Sequence, residues 1–412
     1  MEVNKSYNLQ PPMIMHIDLN SCFASIEQQA RPMLRDRPVA VLNRRTEHTA
    51  IVTASYEAKA FGVKVGMKYR EARALCPDLV AVESDPPKYR FVYHKLLDIM
   101  NDYSAQVRMK SIDEGVIDFH DTSPDIAARN LEEVGLEIKQ RLKTEVGRAM
   151  RCNVGIGTNR FLAKTAASLH KPDGLDIITH QNLRTTLAGL ELTDLTGIAG
   201  RNQKRLNAVG IYTPLEFLDA SELALRKTVF KSINGTHWYQ RLRGWEVDDI
   251  DYDLKTVGRQ YVLDNFNLSK VDILKRLHHL CESVGAKLRG QNKVARGIYI
   301  RVRTLDRQTW KAHQLSELPF YSDKAIYAVA AKLFSGAPDR IREIAISCYH
   351  LDDGMGDQLS LFGDELARER LVTAAIDEIN QRYGDRTVHS ANTLGTGIYV
   401  KQKVPFGSTR YL

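Results

Sequence analysis

The hydrophobic pattern of residues 107–118 sets the frame for the rest of the chain. Val107, Met109, Ile112, Val116 and Ile117 are interrupted by Asp113 and Glu114, with Gly115 just beyond, which predicts two short strands meeting at a tight acidic turn. Residues 13–17 form a continuous apolar run closed by Asp18, the pattern of a buried strand that delivers a carboxylate at its carboxyl end. Apolar runs at 39–42 and 50–52, joined by the polar stretch 43–49, predict a hairpin or paired strands followed by a helix. Helical spacing recurs over 89–103, through Phe91, Leu96, Ile99 and Met100, and over 131–146, where Val134, Ile138 and Leu142 share a face. Residues 154–157, Val-Gly-Ile-Gly, then read as a strand running into a glycine turn, with a helix over 159–168.

The second half carries a different rhythm. After a charged, irregular stretch at 241–255, the pattern predicts strand 256–263, helix 271–288, strands 296–305 and 309–315, helix 323–334 and strand 342–349. That order, β-α-β-β-α-β, is the ferredoxin-like plan. Within its second strand Ile298, Ile300 and Val302 alternate with Tyr299, Arg301 and Arg303, so helices can cover one face while a basic face stays free. A last amphipathic helix is expected over 371–383, stopped by Gly384.

Composition narrows the partners. With 412 residues and 43% hydrophobic content the chain should hold several ordinary domains. A net charge of +8 favours a polyanion, and since no apolar stretch approaches membrane-spanning length, nucleic acid is the better match than lipid. The five cysteines form no C-x-x-C pair, which argues against a zinc site or a disulfide framework and suits a reducing cytoplasm. The polar first residues, MEVNKSYNLQPP, do not read as a signal peptide.

The chemistry lies in the carboxylates. Two adjacent acids at a turn repel each other, and a hard divalent cation between them removes that repulsion, although an isolated Asp-Glu pair also fits a solvated hairpin tip. Strands laid side by side would set Asp18 against Asp113 and Glu114, enough to hold two metal ions for phosphoryl transfer. The segments HIDLNSCFASIE, SYEAKAFGVKVGM, SIDEG and GIGTNRFLAKTAASLHKPDGL, in this order, resemble the Y-family translesion DNA polymerases, in particular the bacterial polymerase IV and polymerase V branches, and the resemblance covers nearly the whole chain.

The resemblance implies an α+β multidomain right hand. Residues 1–30 would be a leader and the first part of the palm, 31–84 small fingers, 85–173 the palm, and 174–243 a helical thumb with a helix-hairpin-helix. Residues 252–350 would be a ferredoxin-like little finger, and 351–412 a clamp-binding peptide and tail. It implies two Mg2+ ions on Asp18, Asp113, Glu114 and the Leu19 carbonyl, with Phe23 as the steric gate against a 2′-hydroxyl. Thr53, Tyr56, Lys59 and Lys164 would contact the triphosphate. Asn20 stands where many members carry an acid, and Lys59 where most carry arginine, a point charge in place of a bidentate fork.

The partners implied are primer-template DNA, dNTPs and the sliding clamp. Thr196-Gly197-Ile198-Ala199-Gly200, followed by Lys204, resembles a helix-hairpin-helix whose backbone N–H groups can face a phosphate. Gly197, Gly200 and Lys204 there, with Arg259, Arg301 and Arg303 further on, are the expected DNA contacts. QLSLF closely resembles the bacterial clamp-binding motif, with Gln358, Leu359, Leu361 and Phe362 as anchors. The implied activity is low-fidelity, lesion-bypassing DNA synthesis in the SOS response by a monomeric, cytoplasmic chain with no membrane association. The alternative is a polymerase-like accessory subunit that binds DNA and clamp without chemistry; it would be free to lose its carboxylates, and all three are present. A palm that makes cyclic nucleotides would leave the hairpin and the clamp-like peptide without purpose.

Overall fold

The computed structural model describes residues 7–250, 253–354 and 364–400. It comprises two compact units that part after Ile250. At the centre of the first lies a five-stranded sheet in the order Val107–Met109, Glu114–Asp118, Ile14–Leu19, Cys152–Gly157 and Leu175–Ile178, antiparallel except for the last pair. Alternation along the strands buries both faces. Met15, Ile17, Ile117, Val154 and Ile156 pack with Leu96, Ile99 and Met100 of helix Pro86–Asn101 and with Val134 and Ile138 of helix Leu131–Arg141. Ile14 and Val116 point the other way, onto Ala163 of helix Arg160–Leu169.

The glycines of 154–157 serve this packing more than a turn. A Cβ on Gly155 would sit 2.0 Å from the Ala163 carbonyl oxygen, and one on Gly157 would sit 2.6 Å from the Ala163 nitrogen. Only bare backbone lets the helix lie this close to the strand. The helix read over 131–146 also differs from expectation: its regular part ends at Arg141, and Leu142–Val146 forms a wider π turn.

A second sheet of the same unit has its own core. Ile51–Ala54, Val39–Leu42 and Val80–Glu83 lie side by side in that order, around Ala40, Leu42, Ala54, Ala58, Ala72 and Cys76. The predicted pair of strands thus gains a third, parallel partner. Residues 183–242 are helical and pack around Leu206, Phe217, Trp238 and Leu242, with Trp238 set edge-on to Phe161 at 5.5 Å.

The second unit follows the predicted order of elements: Thr256–Val262, helix Lys270–Gly290, Lys293–Thr304, Thr309–Phe320, helix Asp323–Phe334 and Ile341–Asp353. Its four strands are all antiparallel, in the order third, second, fourth, first. Each helical crossover therefore joins two strands separated by one antiparallel strand, a split βαβ unit used twice, with the first strand at an edge. Both helices lie on the face that carries Ile298, Ile300, Val302, Ile344 and Ile346, all buried. Beyond the sheet, Asp364–Tyr383 is a longer helix than the one read over 371–383. The segment after it folds onto helix Lys270–Gly290: buried Glu282 accepts hydrogen bonds from Arg386, from the Ser390 N–H at 2.9 Å and from Thr393 at 3.1 Å, and His279 contacts Thr396 at 2.8 Å.

Candidate active site

The predicted carboxylates gather at one end of the five-stranded sheet. Asp18 stands opposite Glu114 on adjacent antiparallel strands, and the Leu19 N–H donates to the Asp113 carbonyl at 2.8 Å. The turn is closed by Lys110, whose N–H donates to the Glu114 carbonyl at 2.9 Å. Period-two alternation places His16 and Asp18 on one strand, and Glu114 and Val116 on its neighbour, all toward helix Arg160–Leu169.

That helix supplies the first cation. Lys164 Nζ donates to both Glu114 oxygens, at 2.7 and 2.9 Å, while buried His16 Nε2 lies 3.1 Å from Oε2. Burial alone would raise the Glu114 pKa, but the contacts from His16 and Lys164 outweigh it and hold the carboxyl down at about 2. Lys171 Nζ donates to Asp18 Oδ2 at 2.6 Å. Asp113 takes a hydrogen bond from the Ser111 hydroxyl at 2.5 Å. Burial raises the Asp113 pKa; the Ser111 bond opposes the rise, and the charges on Asp18 and Glu114 add to it.

Among the described residues no three ligating side chains converge closely enough to hold a metal as they stand, because each carboxylate is turned to a protein partner. The donor set nevertheless fits Mg2+. It offers oxygen alone, from neighbouring backbone positions, and the repulsion from Asp18 and Glu114 that adds to burial in raising Asp113 is what a divalent cation would relieve.

The nucleotide-side residues come together in part. Tyr56 opens helix Tyr56–Ala60, and Lys59 Nζ lies 4.4 Å from the centre of its ring and 2.8 Å from Ser21 Oγ. Burial and the nearby Asp18 charge raise the Tyr56 pKa against a hydrogen bond from Ser21. Burial and the Lys171 charge lower that of Lys59 against the pull of Asp18. Tyr56, Lys59, Lys171 and Asp18 therefore share one electrostatic neighbourhood. Thr53 lies in strand Ile51–Ala54, half-buried and opposite Val41. Phe23 is 2% exposed and stacks on Tyr89 with ring centres 4.3 Å apart, so its ring is seated in the core beside the site.

Three residues of the site went unread in the sequence: His16, Ser21 and Lys171. His16 was findable, since it lies two positions before Asp18 on a strand. Ser21 adopts φ of +46°, a conformation uncommon outside glycine that the sequence does not signal. Lys171 lies between helix Arg160–Leu169 and strand Leu175–Ile178, 153 residues from the acid it meets, and nothing local signals that contact.

Of the expected DNA contacts, Gly197 and Gly200 flank a hairpin tied by Asn202 Nδ2 to the Gly197 carbonyl at 2.9 Å, and Lys204 is exposed on helix Gly200–Asn207. In the second unit, Arg301 and Arg303 lie on the face that the helices leave open, where Arg301 pairs with Glu343 at 2.7 Å. A cavity of about 650 Å³ there is lined by Gln260, Tyr299, Arg301, Thr309, Lys311 and Ser347. Arg259 also borders that cavity, but its side chain lies apart from those of Arg301 and Arg303, which corrects the expected set. Alternation with buried Val257 and Tyr261 turns it under helix Lys270–Gly290, where it donates to Ser283, and burial, then Arg386, pushes its pKa down to about 10. Gln358, Leu359, Leu361 and Phe362 lie outside the described residues.

A carboxylate cluster at a strand end, backed by lysines, suits phosphoryl transfer, and the open basic sheet face of the second unit suits a nucleic-acid backbone. The impB/mucB/samB family model matches residues 17–168 and that family's C-terminal domain matches 255–361. The DNA polymerase IV of Moorella thermoacetica is 32% identical, over 93% of this chain and 97% of the relative, and DNA polymerase IV 1 of Bacillus subtilis is 30% identical over 93% of each. Among solved structures, a Y-family polymerase chimera of Dbh with residues 243–245 of Dpo4 matches with a TM-score of 0.71 at 22% identity, over 83% of this chain and 99% of the other. The chain belongs to this family, the Y-family of translesion DNA polymerases, and is a DNA-directed DNA polymerase of right-hand architecture. Among the described residues no helix is long and apolar enough to cross a membrane.

Proposed function

We propose that the chain extends a primer 3′ end with dNTPs across damaged template, using two Mg2+ ions held by Asp18, Asp113, Glu114 and the Leu19 carbonyl. The observation that carries this reading is the register of Asp18 opposite Glu114, with Asp113 bonded through its carbonyl to the neighbouring Leu19 N–H. When bound, the ions lower the pKa of the primer 3′-hydroxyl and neutralise charge on the triphosphate and the leaving pyrophosphate. Thr53, Tyr56, Lys59 and Lys164 bind and orient the triphosphate, Lys164 being free to do so once it leaves Glu114. Phe23 packs beneath the incoming sugar and excludes a 2′-hydroxyl.

The hairpin at Gly197 and Gly200, with Lys204, and the open face bearing Arg301 and Arg303 grip the duplex backbone without reading sequence. The peptide of Gln358, Leu359, Leu361 and Phe362 tethers the monomeric, cytoplasmic enzyme to the sliding clamp, the β subunit. Primer extension on an undamaged template with Mg2+, comparing the intact chain with Asp113→Ala, tests the reading. Extension by the first and none by the second is expected. If neither extends a primer, with or without clamp, while both bind primed DNA, the accessory-subunit reading replaces this one.

A further inference from the structure

Just past the end of the strand that carries Asp18 stands a cation that no described acid answers. Register pairs His16 with Gly155, Asp18 with Asn153 and Leu19 with Cys152, and the Asn20 N–H donates to the Arg151 carbonyl at 2.9 Å, which carries the ladder one step further. Cys152, Val154 and Ile156 turn into the core, so period-two alternation sets Arg151 in the row of Asn153 and Gly155, on the face of Asp18. Arg151 is exposed, and among the described residues no carboxylate bonds to its guanidinium.

Its surroundings are rich in positive charge. Asn20, opposite Arg151, is followed by Ser21, whose hydroxyl accepts from Lys59 Nζ at 2.8 Å. Burial, then the Asp18 charge, raises the Tyr56 pKa, and the Arg151 charge opposes that rise, so the guanidinium acts on the same phenol that Lys59 covers. The Asn20–Ser21 turn is therefore flanked by Lys59 from one element and Arg151 from another, while Asp18 is already bonded to Lys171 at 2.6 Å. Cations gathered in excess of acids repel one another until a polyanion lies among them.

Resting on the polymerase reading above, we propose that Arg151 is a further phosphate-binding residue of the nucleotide site, its guanidinium fork closing on the terminal phosphate of the triphosphate. The carboxylates hold the reacting end of the nucleotide, so the far end of the triphosphate extends toward Tyr56 and Lys59, beside which Arg151 emerges. Lys59 offers that phosphate a point charge. A planar fork adds two parallel N–H bonds and fixes the direction in which the phosphate points.

The test uses the full chain with Arg151→Ala and Arg151→Lys, each bound to primed DNA whose primer lacks a 3′-hydroxyl. It reads the equilibrium affinity for a dNTP and for the matching dNDP, which lacks the terminal phosphate, in Mg2+. Arg151→Ala should bind the dNTP about ten-fold more weakly while its dNDP affinity stays within about two-fold, and Arg151→Lys should recover part of the dNTP loss. Equal losses for the two nucleotides would mean that Arg151 only supports the turn, and no loss for either that it is merely solvated; both results overturn the proposal. Failure of the polymerase reading looks different: the intact chain itself then binds neither nucleotide on primed DNA and extends no primer that carries a 3′-hydroxyl.

Discussion

The two large sheets of this protein place charge in opposite ways. The five-stranded sheet is covered on both faces, and its acids are crowded at one strand end, each answered by a named donor: Lys171 for Asp18, Ser111 for Asp113, Lys164 and His16 for Glu114. The four-stranded sheet is covered on one face only, and the other spreads Arg301, Arg303 and Lys311 over open strands. A concentrated, half-buried cluster suits chemistry on one phosphate. A dispersed, solvated set suits a polymer whose charge repeats along its length.

The sharpest way to break this comparison is to remove charge from each sheet in turn. Asp18→Ala should lower primer extension by about a thousand-fold or more while leaving DNA affinity within about two-fold. Next in size is Gly155→Ala. Its methyl would strike the backbone of helix Arg160–Leu169, so unfolding in denaturant should show a loss of about 3 kcal/mol, with no acid touched.

Acid sensitivity separates the sheets further. Glu114 is held at about 2, below its ordinary 4.5, so its ionised form stabilises the fold above pH 4.5 and that contribution drains away as pH falls toward 2. The stability advantage of the intact chain over Glu114→Gln, about 2 kcal/mol at neutral pH, should therefore shrink across that window in pH-dependent denaturation. The smallest effects belong to the open face. Arg303→Ala should reduce the salt slope of DNA binding by about one unit with extension at saturating DNA unchanged, and Arg301→Ala should do less because Arg301 already pairs with Glu343. If either arginine variant lost extension at saturating DNA, the division between the sheets would be wrong.

The acidic turn, the strand ending at Asp18 and the six elements of the β-α-β-β-α-β order in the second unit were legible because their periodicity is clean and local. Helix 323–334 is found with the predicted bounds. What local pattern does not carry is which strand lies beside which, or what a polar side chain finds across the fold. Strand Val80–Glu83 is too short to alternate clearly, and Lys171 lies 153 residues from the acid it meets. The glycines at 155 and 157 read as a turn, because nothing in their own neighbourhood announces a helix returning to pack on them. Arg259 looked like a surface cation because a strand sequence gives two faces without saying which one a helix will cover.

The polar knot around Glu282 bears on where this protein can be cut. The family's C-terminal domain stops at residue 361, yet the groups that satisfy buried Glu282 and His279 come from Arg386, Ser390, Thr393 and Thr396. A chain trimmed to the shared boundary would leave an acid and an imidazole stranded on the back of helix Lys270–Gly290. The matched domain ends some thirty residues before the fold does, and a truncation intended to simplify the protein would begin by unpicking it.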